Sequence, residues 1–116
     1  MSQHRKHRGY ETQRLAADHL RPYFPHVEPA GAGRPGSDLT GTVGIDWEIK
    51  ARRGLVISEL MNQLDARAKD GVLGVGLIRP DGMGPASIGR WPFIVCFDDG
   101  IALLRAAGYG MPVEEL

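Results

Sequence analysis

Residues 45–51, Ile-Asp-Trp-Glu-Ile-Lys-Ala, alternate apolar and charged side chains with a period of two. Such a stretch builds a strand that is buried on one face and polar on the other. Ile45, Trp47 and Ile49 share the first face; Asp46, Glu48 and Lys50 share the second. Before it comes a glycine-bounded turn, Gly41-Thr42-Val43-Gly44, and before that a short strand candidate at residues 37–40, so the region reads as a β-hairpin. Antiparallel pairing sets Asp38 roughly opposite Glu48, with side-chain roots within ~5–8 Å. One Mg²⁺ ion spans that gap, because it takes oxygen ligands at ~2.1 Å and keeps several waters.

Two carboxylates with a lysine at their edge suit phosphodiester hydrolysis. Water must attack in line, and both the leaving oxygen and the added negative charge need stabilising; a carboxylate-held divalent ion supplies this. Lys50 lies two residues beyond Glu48 on the same face and is assigned positioning and electrostatics first, general base second. An acid-x-Lys tripeptide also arises by chance about once in a chain or two of this size. Alternating charges equally describe the solvated face of an edge hairpin. The surroundings must therefore carry the reading.

Those surroundings are a basic segment, Arg5-Lys6-His7-Arg8-Gly9; Glu11 on a first helix; the loop Gly31-Ala32-Gly33-Arg34-Pro35-Gly36-Ser37; then Asp38; then Glu48-Ile49-Lys50; and Gln63 on a following helix. In this order the chain resembles the PD-(D/E)xK nuclease superfamily and, within it, the small Holliday junction resolvases of archaea and some phages. The likeness spans roughly residues 5–70, and the last third fits only as a strand and helix completing a core. Ser37 stands where the pattern has proline. The resemblance implies that Asp38 and Glu48 ligate the metal, that Lys50 is the catalytic lysine, and that Glu11 supports a metal or its water shell. It also implies a restriction-endonuclease-like α/β domain, a central mixed sheet flanked by helices.

The chain's 14 basic and 14 acidic side chains cancel, but unevenly along its length. Residues 1–53 carry nine Lys/Arg against six Asp/Glu, and residues 54–116 carry five against eight. With metal bound at the predicted carboxylates the first half would be more positive still. Arg5, Lys6, Arg8, Arg14, Arg34, Arg52 and Arg53 then form a candidate phosphate track, joined by Ser37 and Gln63 as DNA contacts. Residues 1–8 alternatively form only a flexible, solvated basic tail. Glu11 has a second explanation too, since a carboxylate in a first helical turn is favoured by the dipole alone.

Periodicity and breakers give the element order α-β-β-β-α-β-β-α: helix 10–23, strand 27–30, the hairpin, helix 58–69, strand 72–78, a loop at 80–85, strand 91–97 and helix 101–107. The 116 residues suffice for one domain. No apolar run approaches the ~20 residues of a membrane span, and no hydrophobic segment follows the basic N-terminus as in a signal peptide. Lone Cys96, inside an apolar run, suits a reducing cytoplasm. His4, His7, His19 and His26 form no zinc set. Gly31-x-Gly33-x-x-Gly36 spells a dinucleotide fingerprint, but Pro35 and the strand and turn that follow leave no helix to meet a pyrophosphate, so no nucleotide cofactor is expected.

The expectation is a single-domain endonuclease using Mg²⁺ (Mn²⁺ substituting) on branched DNA such as four-way junctions. Paired symmetric cuts call for a homodimer, with residues 72–78 or Trp91-Pro92-Phe93 as candidate interface. Two alternatives stay open: a restriction- or repair-type nuclease of the same fold acting on duplex or flap DNA, and a DNA-binding subunit that has kept the fold without cutting.

Overall fold

The computed structural model describes residues 3–31, 35–51 and 53–111, the side chains of residues 3–7 excepted. Helix α1 (Gln3–Leu20) buries Thr12, Ala16 and Ala17 along one stripe. It stops where the N–H groups of Tyr23 and Phe24 both donate to the Leu20 carbonyl at 2.9 Å, with Pro22 and Pro25 close behind. From Gln3 the backbone is helical, so residues 3–8 of the stretch read as a tail extend α1; the Gln, Arg and Lys there are good helix formers. Glu11 therefore lies well inside α1, so the dipole does not account for it.

Strands β1 (Glu28–Pro29) and β2 (Leu39–Thr40) pair antiparallel, Glu28 opposite Thr40. Strand β3 (Ile45–Lys50) runs into helix α2 (Ile57–Arg67) and returns as β4 (Leu73–Ile78), parallel to β3 with Glu48 opposite Gly76 and Lys50 opposite Ile78. A 3₁₀ helix (Pro85–Arg90) precedes β5 (Phe93–Ile94), which lies antiparallel to β4. Helix α3 (Phe97–Ala106) follows. The result is an α/β domain with a mixed sheet, β3-β4-β5, flanked by helices.

The element order matches expectation, but the hairpin does not. β2 pairs with β1, and β3 takes β4 as its ladder partner through an α-helical crossover. At Gly41, with φ +83°, the chain comes so close to His26 that a Cβ there would lie 2.1 Å from the His26 carbonyl oxygen, an approach only glycine permits where β2 lies against β1. Strand 91–97 shrinks to Phe93–Ile94, because Trp91 turns inward, Pro92 has no N–H, and α3 starts at Phe97. Asp98 and Asp99 sit within the first turn of α3.

The period-two reading of β3 holds. Trp47 packs with Val75, Leu39, Ala16 and Ala17 under α1, and its indole N–H donates to Thr42 Oγ1 at 3.0 Å. On the other face α2 lays Leu60 and Leu64 over β4. Gly74 and Gly76 make room for it, since a Cβ at Gly74 would lie 2.9 Å from Ala68 Cβ, and one at Gly76 2.9 Å from a Leu60 methyl. Of the candidate interface stretches, β4 is central and mostly buried and Trp91 is buried, which leaves Val72 and Phe93 as their exposed hydrophobic side chains. Among the described residues no helix is long and apolar enough to cross a membrane.

Gly74→Ala is expected to cost about 1–3 kcal/mol, the range for overpacking a tight core, because the new methyl meets a Cβ and helix backbone. Gly76→Ala should cost less, since a Leu60 methyl can rotate aside. Urea denaturation of both variants checks the order; equal costs would mean α2 does not seat on these glycines as described.

Candidate active site

The outer edge of β3 is closed by two side chains and one backbone N–H from Ser37 and Asp38. Asp38 N–H donates to the Trp47 carbonyl at 2.8 Å, Trp47 N–H donates to Ser37 Oγ at 2.8 Å, and Ile49 N–H donates to Asp38 Oδ2 at 2.7 Å. The Ser37 hydroxyl itself donates to the Leu39 carbonyl at 2.8 Å. Asp38 is thus pinned beside Trp47 and Ile49, not in a hairpin register opposite Glu48. Ser37, expected to contact DNA, spends its hydroxyl on fold contacts.

Glu48 is 8% exposed and faces α2. Lys50 Nζ lies 3.0 Å from Glu48 Oε1, and both side chains are largely buried. The other Glu48 oxygen, Oε2, pairs with Arg67 Nη2. Arg67, from the last turn of α2, also lies 3.2 Å from Asp46 Oδ1 and donates from Nη1 to the Gly36 carbonyl at 2.5 Å. The cluster is therefore Asp38, Asp46 and Glu48 against Lys50 and Arg67. Sequence reasoning missed Arg67 and left Asp46 without a role. Asp46 was legible from its face of β3; Arg67 was hidden because a basic residue in a last helical turn has an ordinary explanation.

Burial pushes the Asp38 carboxyl above its usual range; the Ile49 N–H opposes this, the Glu48 charge adds to it, and Arg67 and Lys50 oppose it. Asp46 is likewise raised, first by burial, with Arg67 opposing and Glu48 adding. Both carboxyls thus feel the Glu48 charge, and the acids form one electrostatic unit.

Glu11 stands apart. It is half exposed, and Arg79 Nη1 lies 3.5 Å from its Oε1. Arg79 follows β4, donates to Thr12 Oγ1 at 3.1 Å and to the Met83 carbonyl at 3.2 Å, and lies 5.6 Å over the Trp91 ring. No ion pair or hydrogen bond joins Glu11 to Asp38, Glu48 or Lys50 among the described residues. Arg8 donates from Nε to the Ala51 carbonyl at 3.0 Å, and exposed Arg53 pairs with Asp81. Gln63 is exposed on α2. Arg34 and Arg52, and the side chains of Arg5 and Lys6, lie outside the described residues.

Among the described residues no three acidic, His or Cys side chains converge as a ready ligand set. Mg²⁺ needs fewer, being commonly held by one or two carboxylates with waters filling its remaining positions. The donors present are of that hard kind: Asp38 through the oxygen not bonded to Ile49, and Glu48. Asp46 Oδ1 is buried without a hydrogen-bond partner, an orphaned oxygen in the same cluster. These residues fit a hard divalent cation.

Because burial raises the Asp38 and Asp46 carboxyls, the folded protein holds those protons more tightly than the unfolded chain. Its stability should fall as pH rises from the ordinary aspartate value of ~3.9 through the raised folded-state values, then level off. Asp38→Asn keeps an acceptor for the Ile49 N–H and removes one of these titrations. It should gain on the native protein across that window and be the more stable of the two at pH 7. Urea melts at pH 4 and pH 7 check this; a variant that loses ground as pH rises would overturn it.

Comparison with protein-family models, curated proteins and solved structures finds no match to this chain, so the chemistry of the site rests on its own side chains.

Proposed function

We propose that this chain is a metal-dependent endonuclease of the restriction-endonuclease-like fold, acting on branched DNA and most suited to resolving four-way junctions by paired nicks. One observation carries the reading: Lys50 sits 3.0 Å from Glu48, within the same charged cluster as Asp38 and Asp46, at the polar end of one strand. Asp38 and Glu48 would hold Mg²⁺ or Mn²⁺, which supplies Lewis acidity and a lowered pKa for bound water. Glu48 orients the Lys50 ammonium, leaving its other N–H bonds for the attacking water or a phosphate oxygen. Burial of the pair excludes bulk water and strengthens that electrostatic hold. Arg8, Arg53 and the basic residues around them supply phosphate contacts, with Glu11 at the rim. The free Cys96 thiol suits a reducing cytoplasm.

A homodimer is part of the proposal. α3 buries none of its residues and leaves Phe97, Ile101 and Leu104 exposed, with Phe93 nearby in sequence, more apolar surface than a lone helix normally shows to water. A second copy placed there by a two-fold axis would match the symmetry of a junction. Light scattering of the intact chain should give a dimer, and Leu104→Asp should shift it to monomer; a monomer at all concentrations would remove the paired-nick mechanism.

The experiment for the activity is Mg²⁺-dependent cleavage of a labelled four-way junction beside duplex, flap and single strand. Lys50→Ala should lower the rate by about 10²–10³-fold, the scale for losing one preorganised electrostatic group, with junction binding retained. Equal cutting of duplex or flap would keep the site and give the substrate to a restriction- or repair-type enzyme. Tight junction binding without cleavage by the native protein would favour a non-cutting DNA-binding subunit.

A further inference from the structure

The polar face of β3 carries an internal cation whose fit is poor for a purely structural residue. Arg67 Nη2 is shared between Glu48 and Asp46, and Nη1 donates to the Gly36 carbonyl. Nε is buried with no partner, and so is Asp46 Oδ1, which lies 3.2 Å from Nη2 without hydrogen-bond geometry. A guanidinium retained for stability normally meets carboxylate as a two-pronged fork and satisfies its donors. Arg79 shows how this same fold treats such a residue: its Nε bonds the Met83 carbonyl, its Nη1 bonds Thr12, and its plane lies near Trp91.

We propose that Arg67 is the resident counter-ion of the carboxylate cluster, giving up Glu48 and Asp46 to an incoming divalent cation and turning its released guanidinium toward the DNA phosphate. This rests on the metal-dependent reading above. Charge balance motivates the exchange. Asp38, Asp46 and Glu48 face Lys50 and Arg67 in the absence of metal. Adding a divalent ion while Arg67 stays would set four positive charges against three negative ones, and the residue that binds least well leaves first. Both cations pair with Glu48, but the Lys50 side chain is only 15% exposed and lies on the same strand as its partner. Arg67 is 27% exposed and sits on the last turn of α2, so its side chain has a path outward. Arg67 also holds the Gly36 carbonyl, two residues before Asp38. Its departure therefore also releases the Gly36 carbonyl. Arg67 is a positioning residue in this scheme, setting the metal threshold of the site.

The test is Mn²⁺ and Mg²⁺ titration of the full chain by calorimetry, without DNA. The chains compared are the native protein, Arg67→Gln, Arg67→Lys and Glu48→Gln. Arg67→Gln should bind the ion about tenfold more tightly, as expected when one competing charge is removed. Arg67→Lys should stay close to the native affinity, and Glu48→Gln should lose binding. NMR of the native protein gives a second readout that needs no variant to fold: the slowest-exchanging arginine Nε–H signals should include that of buried Arg67, and one should move to solvent-like exchange when Mg²⁺ is added. Unchanged or weaker binding in folded Arg67→Gln, or an arginine Nε–H spectrum unaffected by a metal that does bind, overturns the exchange while leaving the metal site. Absence of divalent binding in all four chains overturns the metal-dependent reading itself.

Discussion

Everything at the polar end of this molecule depends on how the outer edge of β3 is closed. An exposed strand edge offers a row of unpaired N–H and C=O groups. Here Trp47 N–H, Trp47 C=O and Ile49 N–H are met by Ser37 Oγ, Asp38 N–H and Asp38 Oδ2. Two side chains and one backbone N–H thus substitute for a ladder partner, and the cost of an unmet backbone group, about 1–3 kcal/mol each, is avoided. The same bonds fix Asp38 in position. One carboxylate oxygen serves the sheet and the other makes no hydrogen bond among the described residues, so fold and candidate site share a residue.

The second determinant is the close seat of α2 on β4. Gly74 and Gly76 face the helix with no side chain, and Leu60 and Leu64 come down onto them. Only because α2 sits this low does Arg67 reach Asp46 and Glu48 on the adjacent strand. A buried carboxylate such as Glu48 carries a desolvation penalty of several kcal/mol that its partners must offset. Lys50 and Arg67 do so from either side. Asp38 and Asp46 are raised chiefly by their own burial, which the nearby cations only partly oppose.

Much of this was legible in the sequence. The period-two pattern of residues 45–51 assigned both faces of β3 correctly, and the element order followed from helical spacing and glycine or proline breaks. Asp38, Glu48 and Lys50 were legible as neighbours, although through the wrong pairing: a turn between two strand-like stretches suggests a hairpin, and nothing local announces that Gly41 is pressed against His26. The reach of α1 back to Gln3 was masked by the polar sequence of its first turns, which carries no apolar periodicity. Arg67 was out of sight for a different reason. Its role is created by the height of a helix over a sheet, a tertiary quantity that no spacing along the chain encodes.

Glu11 is set apart from Asp38, Glu48 and Lys50 by the element that carries it. Asp38, Glu48 and Lys50 owe their proximity to one strand and the segment bonded to its edge, so any fold that forms β3 brings them together. Glu11 belongs to α1, which packs on the apolar face with Trp47 and Val75. It approaches the polar end only around the termini of β3 and β4, where Arg79 N–H bonds the Lys50 carbonyl at 2.8 Å and Arg79 Nη1 faces Glu11. Among the described residues its carboxylate pairs with Arg79 and makes no ion pair or hydrogen bond to the cluster. Of the acidic residues that the resemblance implies, two are built into the strand edge, and the third is held by a cation that the fold already uses to tie α1 to β4.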